Sequence, residues 1–186
     1  IRDIQAACYE IDDDLRWLVA LLSDTGMRLS EVAGSSIKDI CLEHDVPHVN
    51  LKPQPWRGLK TQQSERQVPL VGAALWAAKR ITTGVEGQWC FPRYTNAESC
   101  NGNSASAALN KWLKANFSKE AVVHGFRHSF RDRLRAVNCP TEMIDQLGGW
   151  SIPNVGGRYG QGYNLKSQKV FMDEIIIEAE HHQQVL

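Results

Sequence analysis

The amino-acid sequence predicts an α+β fold: a mostly helical domain with one small antiparallel β-sheet near the N-terminal third. Three observations predict it. Apolar residues recur at helical spacing in several separate stretches. Residues 36–70 break that spacing into short runs divided by turn-rich segments such as Glu43-His44-Asp45 and Pro53-Gln54-Pro55. A chain of 186 residues, 42% hydrophobic and 23% charged, suits one ordered domain with a sizeable core.

The elements follow in order. Leu15, Leu18, Val19 and Leu22 mark an amphipathic helix, and Gly26 ends it. The run Asp12-Asp13-Asp14 before it reads as a solvated helix start, because consecutive residues on a helix point in different directions. A short helix covers Leu29–Ala33. The runs 37–42, 48–51 and 67–70 read as three strands. A helix follows over Gly72–Ile81, then a loop over residues 83–103. Ala105, Ala108, Leu109, Trp112 and Leu113 mark the next helix; Phe126, Phe130, Leu134 and Val137 mark another, which ends before Pro140. Thr141 is the expected N-cap of a helix reaching Leu147, closed by Gly148 and Gly149. A last helix is expected over Leu165–Ala179.

Composition excludes several classes. No apolar run approaches the length of a membrane span, and the first residues do not read as a signal peptide, so a cytoplasmic protein with no membrane partner is expected. The five cysteines are widely spaced with no CxxC pair, which argues against a disulfide framework or a zinc site. There is no glycine-rich phosphate loop, HExxH or GxSxG, and neither a cofactor nor a metal is expected. Net charge is zero, with 21 basic and 21 acidic residues. Its distribution is uneven: Lys52–Arg80 and Lys111–Arg135 are basic, whereas acid collects at Glu10–Asp14 and Asp173–Glu180. Two basic stretches form either one polyanion-binding face or an ordinary solvated surface.

Single motifs are weak. In "HGFRHSF", His124 and Arg127 share a helix face near its N-terminus, an arrangement suited to phosphate. In "DTGMRLSEVAG", Arg28 precedes Glu31 by three residues, which alone describes a local ion pair. In "LKTQQSERQVPL", Lys60 falls in a turn between strands. Their order is more specific than any one of them. "TGMRLSE", "LKT…SERQVPL", "HGFRH", "LGGW" and then a tyrosine resemble the catalytic domain of tyrosine recombinases, the phage and prophage integrase family, over about residues 12–170.

The resemblance implies a catalytic set. Arg28 matches the first arginine of the family and Glu31 the acidic residue after it, in a supporting role. Lys60 matches the β-hairpin lysine, and His124 with Arg127 the HxxR pair. Trp150 falls where the family has histidine or, in some members, tryptophan; "LGH" here reads "GGW", so a ring N–H donor is kept while acid–base chemistry at that position is lost. Tyr159, nine residues after Trp150, matches the nucleophile; Tyr163 does not. The glycines of "GGRYGQGY" are expected to act as a hinge for that tyrosine.

The resemblance further implies site-specific recombination of double-stranded DNA, the integration or excision of a prophage or genomic island. Cleavage and rejoining pass through a 3′-phosphotyrosyl intermediate, independent of metal. Residues 1–186 then form a catalytic domain, without the core-binding and arm-binding domains that precede it in family members. Four copies on DNA are expected, with a C-terminal segment docking on a neighbour (Ile175–Ile177 is an apolar run there), and DNA-bending accessory proteins are further partners. Two alternatives stand beside this reading: a type IB topoisomerase-like relaxing enzyme, and a DNA-binding module with no activity.

Overall fold

A computed structural model describes residues 1–61, 64–150 and 162–177. Helix α1 (Arg2–Ile11) is an element the apolar spacing did not predict. Its inward face is partly polar: buried Gln5 donates to Ser23 Oγ (2.8 Å) and Asp24 Oδ1 (2.9 Å). The acidic run that follows punctuates two helices. Asp12 closes α1 in the left-handed region (φ 51°), and Asp13 caps α2 (Asp14–Thr25) by accepting the Arg16 backbone N–H.

Helix α2 is central. Leu18, Val19, Ala20, Leu21 and Leu22 are all buried, and the helix packs against α1, α4 (Gly72–Gly84) and α6 (Gly125–Ala136). Apolar residues on every side leave it no solvent face along this run. Gly26 ends it at φ 60°, and α3 (Leu29–Ala33) follows at once.

The sheet has three antiparallel strands in the order β1 (Ile40–Cys41), β2 (His48–Leu51) and β3 (Arg66–Pro69). Val49 pairs with Ile40 on one side and Val68 on the other, and Leu51 pairs with Arg66. The first expected strand is shorter than its apolar run, because Ile37–Asp39 forms a 3₁₀ turn with Asp39 accepting the Ser36 N–H. Residues 52–65 connect β2 to β3 and carry Lys60.

The remaining helices are α5 (Gly102–Asn116), α7 (Thr141–Gly148) and α8 (Leu165–Glu174). Two boundaries differ from expectation. Pro140, extended at ψ 136°, occupies the N-cap of α7 and makes Thr141 its first helical residue. Helix α8 ends at Glu174 rather than Ala179, where the Ile175 carbonyl accepts from Arg133 Nη1 (3.0 Å). No helix among the described residues is long and apolar enough to cross a membrane.

Candidate active site

The site begins where α2 stops. A side chain at Gly26 would place its Cβ 2.2 Å from the Phe130 ring, so only glycine lets this left-handed turn press against α6. The contact carries Arg28 and α6 into one neighbourhood. Arg28 heads α3, and its backbone N–H donates to Glu31 Oε2 (2.8 Å). Its side chain donates from Nη1 to Glu31 Oε1 (2.8 Å) and Ser64 Oγ (3.1 Å), and from Nη2 to the Gly149 carbonyl (3.0 Å).

Arg127 sits in the first turn of α6. It donates from Nη1 to the Gly26 carbonyl and from Nη2 to the Gly148 carbonyl (3.0 Å). Arg66, on β3, donates from Nε to the Leu147 carbonyl (2.7 Å). Three successive carbonyls at the C-terminus of α7 therefore each hold one arginine. This helix end is closed by a Schellman turn, with Trp150 N–H on the Asp145 carbonyl (2.9 Å) and Gly149 N–H on that of Gln146 (3.2 Å). That closure leaves the last carbonyls free for side chains, and the negative end of the helix dipole favours cations there.

Both glycines of "LGGW" are needed. Gly149 has φ 62°, and a Cβ on it would lie 2.7 Å from Arg66 Nη1. A Cβ on Gly148 would fall 1.8 Å from the Trp150 ring. The ring packs over that bare backbone, with the guanidinium carbons of Arg127 and Arg131 at 4.5 and 4.8 Å from its centroid. Arg131 also pairs with Asp145 (2.9 Å).

Arg28, Lys60, His124, Arg127 and Trp150 line one cleft of about 480 Å³. The structure thus brings together five of the residues that the motifs single out. Glu31 lies behind the cleft wall, 2% exposed, between Arg28 and Arg66. Of five N–H donors on each guanidinium, Arg28 uses three and Arg127 two on described partners, which leaves both able to bind an anion. A cavity of similar size, about 510 Å³, is lined by Arg66 together with Gln146, Tyr163 and Gln168. Arg66 is the one guanidinium in its lining, and it is engaged with Glu31, Ser64 and Leu147, whereas Arg28 and Arg127 of the first cleft keep further N–H donors.

The electrostatics favour a bound anion. Burial and the neighbouring Arg28 push Arg127 down to about 10, which leaves it charged at neutral pH. Burial works against both charges of the Glu31–Arg66 pair and lowers Arg66; Glu31 nevertheless stays below the usual carboxylate range because Arg66 and Arg28 face it. Burial, His128 and Arg127 together lower His124, so its imidazole is neutral near pH 7. Four guanidiniums (Arg28, Arg66, Arg127, Arg131) meet two carboxylates, Glu31 and Asp145, and the excess is positive.

Tyr159, with Gly156, Gly157 and Gly160 of the expected hinge, lies outside the described residues. The chain is tied to α7 on both sides of 151–161, at Trp150 and at Tyr163. Trp150 bonds Asp145, and Tyr163 donates its N–H to Gln146 Oε1 (2.8 Å) while its carbonyl accepts from Gln146 Nε2 (2.9 Å) and Gln168 Nε2 (3.0 Å). Tyr163 is thus anchored through its backbone.

Sequence reasoning passed over Arg66 as one more basic residue. Its signal was alternation: in β3, Arg66 and Val68 are buried and Gln67 is exposed, so the arginine faces inward. Arg57 was also counted in the basic stretch. It is 3% exposed and donates to the Glu31 and Gly34 carbonyls (3.0 and 3.2 Å), so neither residue belongs to a solvent-facing basic surface.

The chain matches the model of the phage integrase family over residues 1–164. A search of curated proteins gives no match. Among solved structures, the chain is similar to the Tn1549 transposon integrase in complex with transposon right end DNA, at 20% identity and TM-score 0.51, covering 84% of this chain and 53% of that one. It is likewise similar to that integrase with a circular intermediate DNA, at 16% identity and TM-score 0.54, again covering 84% and 53%. At such identities the likeness is one of fold, and the chain spans about half the length of these structures. The match over residues 1–164 settles membership: the chain belongs to the phage integrase family, the tyrosine recombinases.

Proposed function

We propose that residues 1–186 form the catalytic domain of a site-specific DNA recombinase, which integrates or excises a prophage or genomic island. The carrying observation is the single cleft lined by Arg28, Lys60, His124, Arg127 and Trp150, with guanidinium charge in excess. DNA as the partner is further supported by the similar Tn1549 integrase structures, which are complexes with DNA.

In this reading the Tyr159 phenolic oxygen attacks a backbone phosphorus. The bond to the 5′-oxygen breaks, leaving a 3′-phosphotyrosyl link, and a second 5′-hydroxyl reverses the step on a new strand. Charge builds on the non-bridging oxygens, and the free N–H donors of Arg28 and Arg127 bind it, fixed beforehand by their carbonyl partners. Lys60 gives a proton to the departing 5′-oxygen. The neutral His124 accepts the phenol proton or hydrogen-bonds the phosphate. Trp150 donates its indole N–H, and Glu31 orients Arg28.

On DNA, four copies assemble in the cytoplasm, each docking a C-terminal segment on a neighbour, with DNA-bending proteins as accessories. Ile175 is buried within its own chain, whereas Ile176 is 37% exposed and available to a neighbour.

The test is covalent trapping. The full-length protein is mixed with a nicked suicide duplex carrying the attachment sequence from the ends of its own element, and the adduct is mass-mapped. Tyr159→Phe abolishes the adduct while Tyr163→Phe keeps it. An adduct that persists in Tyr159→Phe and vanishes in Tyr163→Phe overturns the assignment of the nucleophile. DNA affinity falls steeply with salt.

A further inference from the structure

We infer that Arg66 is a positioning residue of the reaction, acting on the phosphate-binding Arg28 through Glu31 and through the end of α7. The inference rests on the reading of the cleft proposed above. Arg66 is absent from the lining of that cleft, and its side chain is 3% exposed, so it meets no substrate there. Its role lies in what it joins. From one planar fork it reaches Leu147 O through Nε (2.7 Å), Ser64 O through Nη1 (2.7 Å), and both Glu31 oxygens, at 3.4 Å from Nη1 and 3.0 Å from Nη2.

Each contact ends on or close to a partner of Arg28. Glu31 binds Arg28 at its side chain and at its backbone N–H. Ser64 presents its carbonyl to Arg66 and its hydroxyl to Arg28. Leu147, held by Arg66, lies two residues before Gly149, whose carbonyl holds Arg28. Two of the three described partners of the Arg28 side chain, Glu31 and Ser64, are thus bonded to Arg66, and the third, Gly149, follows its Leu147 contact by two residues. A lysine at 66 keeps the charge but offers a compact ammonium that cannot span these directions in one plane. With its braces loosened, Arg28 shifts relative to the phosphate, and a displacement on the order of 1 Å costs about 100-fold in rate.

Arg66→Lys and Glu31→Gln are compared with wild type and Arg28→Lys in the full-length protein, on the same suicide duplex. Single-turnover cleavage separates the rate constant from the amplitude, which counts folded, DNA-competent molecules. The expected result for Arg66→Lys is an unchanged DNA affinity and amplitude with a rate constant lower by about 100-fold. Glu31→Gln falls in the same way, and the double variant is no slower than the slower single one, because both act on one brace. A lower amplitude or melting temperature with an unchanged rate constant overturns the inference. Should Arg66→Lys fail to fold, Arg66→Gln decides: its unchanged rate constant overturns the inference, and its loss of rate at full amplitude upholds it. If wild type and Arg28→Lys differ as expected while Arg66→Lys matches wild type, the inference alone fails. If wild type forms no adduct, the reading of the cleft fails and this inference falls with it.

Discussion

The guanidinium carbon of Arg127 lies 4.5 Å from the ring centroid of Trp150, while the same side chain is held by the carbonyl of Gly148, over which that ring packs. The indole therefore helps to hold the Arg127 guanidinium in place, apart from any N–H it offers. Trp150→Phe keeps a ring face for Arg127, and Trp150→Ala removes it. The alanine variant is expected to cleave roughly 2- to 30-fold more slowly than the phenylalanine variant, the span of a cation–π contact from exposed to desolvated. Equal single-turnover rates in the two variants would assign Trp150's role to its N–H.

Three glycines give a graded stability series. Gly26→Ala meets both a left-handed backbone and the Phe130 ring, and is expected to lose about 3 kcal/mol or more. Gly149→Ala strains the backbone and crowds Arg66, losing about 1–3 kcal/mol. Gly58, with nothing within 4 Å of a new Cβ, serves as the control, where alanine stays within about 0.5 kcal/mol of wild type. Urea denaturation of the three variants measures the order.

Acid is expected to weaken the fold in two steps. His124 in the folded chain lies below its ordinary 6.5, so the unfolded chain takes up its proton first, and stability falls as pH drops from 6.5 through the lowered value. Glu31 lies below its ordinary 4.5, so its contribution is complete above 4.5 and is lost as pH falls through its folded value. In denaturation profiles against pH, His124→Gln removes the first step and Glu31→Gln the second. A first step that survives in His124→Gln rejects that assignment.

Arg133 is expected to matter for stability more than for cleavage. It pairs with Asp24 (2.9 Å), which is 1% exposed and also accepts from Gln5 and from the Ala73 N–H. Burial raises the Asp24 carboxyl, with Arg133, the Ala73 N–H and Gln5 opposing it. Arg133→Ala strands this carboxylate and is expected to cost about 3–5 kcal/mol. Arg133→Ala combined with Asp24→Asn recovers part of that loss. A single variant as stable as wild type would show that the pair is dispensable.

Much of the fold was legible because burial follows spacing. Leu18, Val19 and Leu22 announce α2, and Phe126, Phe130 and Leu134 announce α6, since each set falls on an inward face. Helix α1 was less legible although Ile4, Cys8 and Ile11 keep helical spacing, because one of its two buried positions is Gln5, and a glutamine carries no apolar signal. The cleft was legible through the order of its motifs, which brought Lys60 and Trp150 to Arg28 although neither stands near it in the chain. The brace behind it was not. Carbonyls 147–149 belong to the backbone, which no residue type announces, and Arg66 looks like any surface arginine until its strand partners are known.

The arginine clamp at the end of α7 joins parts of the chain that are far apart in sequence. Arg28 meets Gly149 across 121 positions, and Arg66 meets Leu147 across 81. Chains emerge from the ribosome N-terminus first, and contacts so distant close late. A nascent chain holding Arg28, Lys60 and His124 lacks the α7 carbonyls that fix the arginines until α7 has emerged and folded. A truncated or stalled product ending before residue 147 therefore carries Arg28, Lys60, His124 and Arg127 without the carbonyls that hold the arginines in one frame.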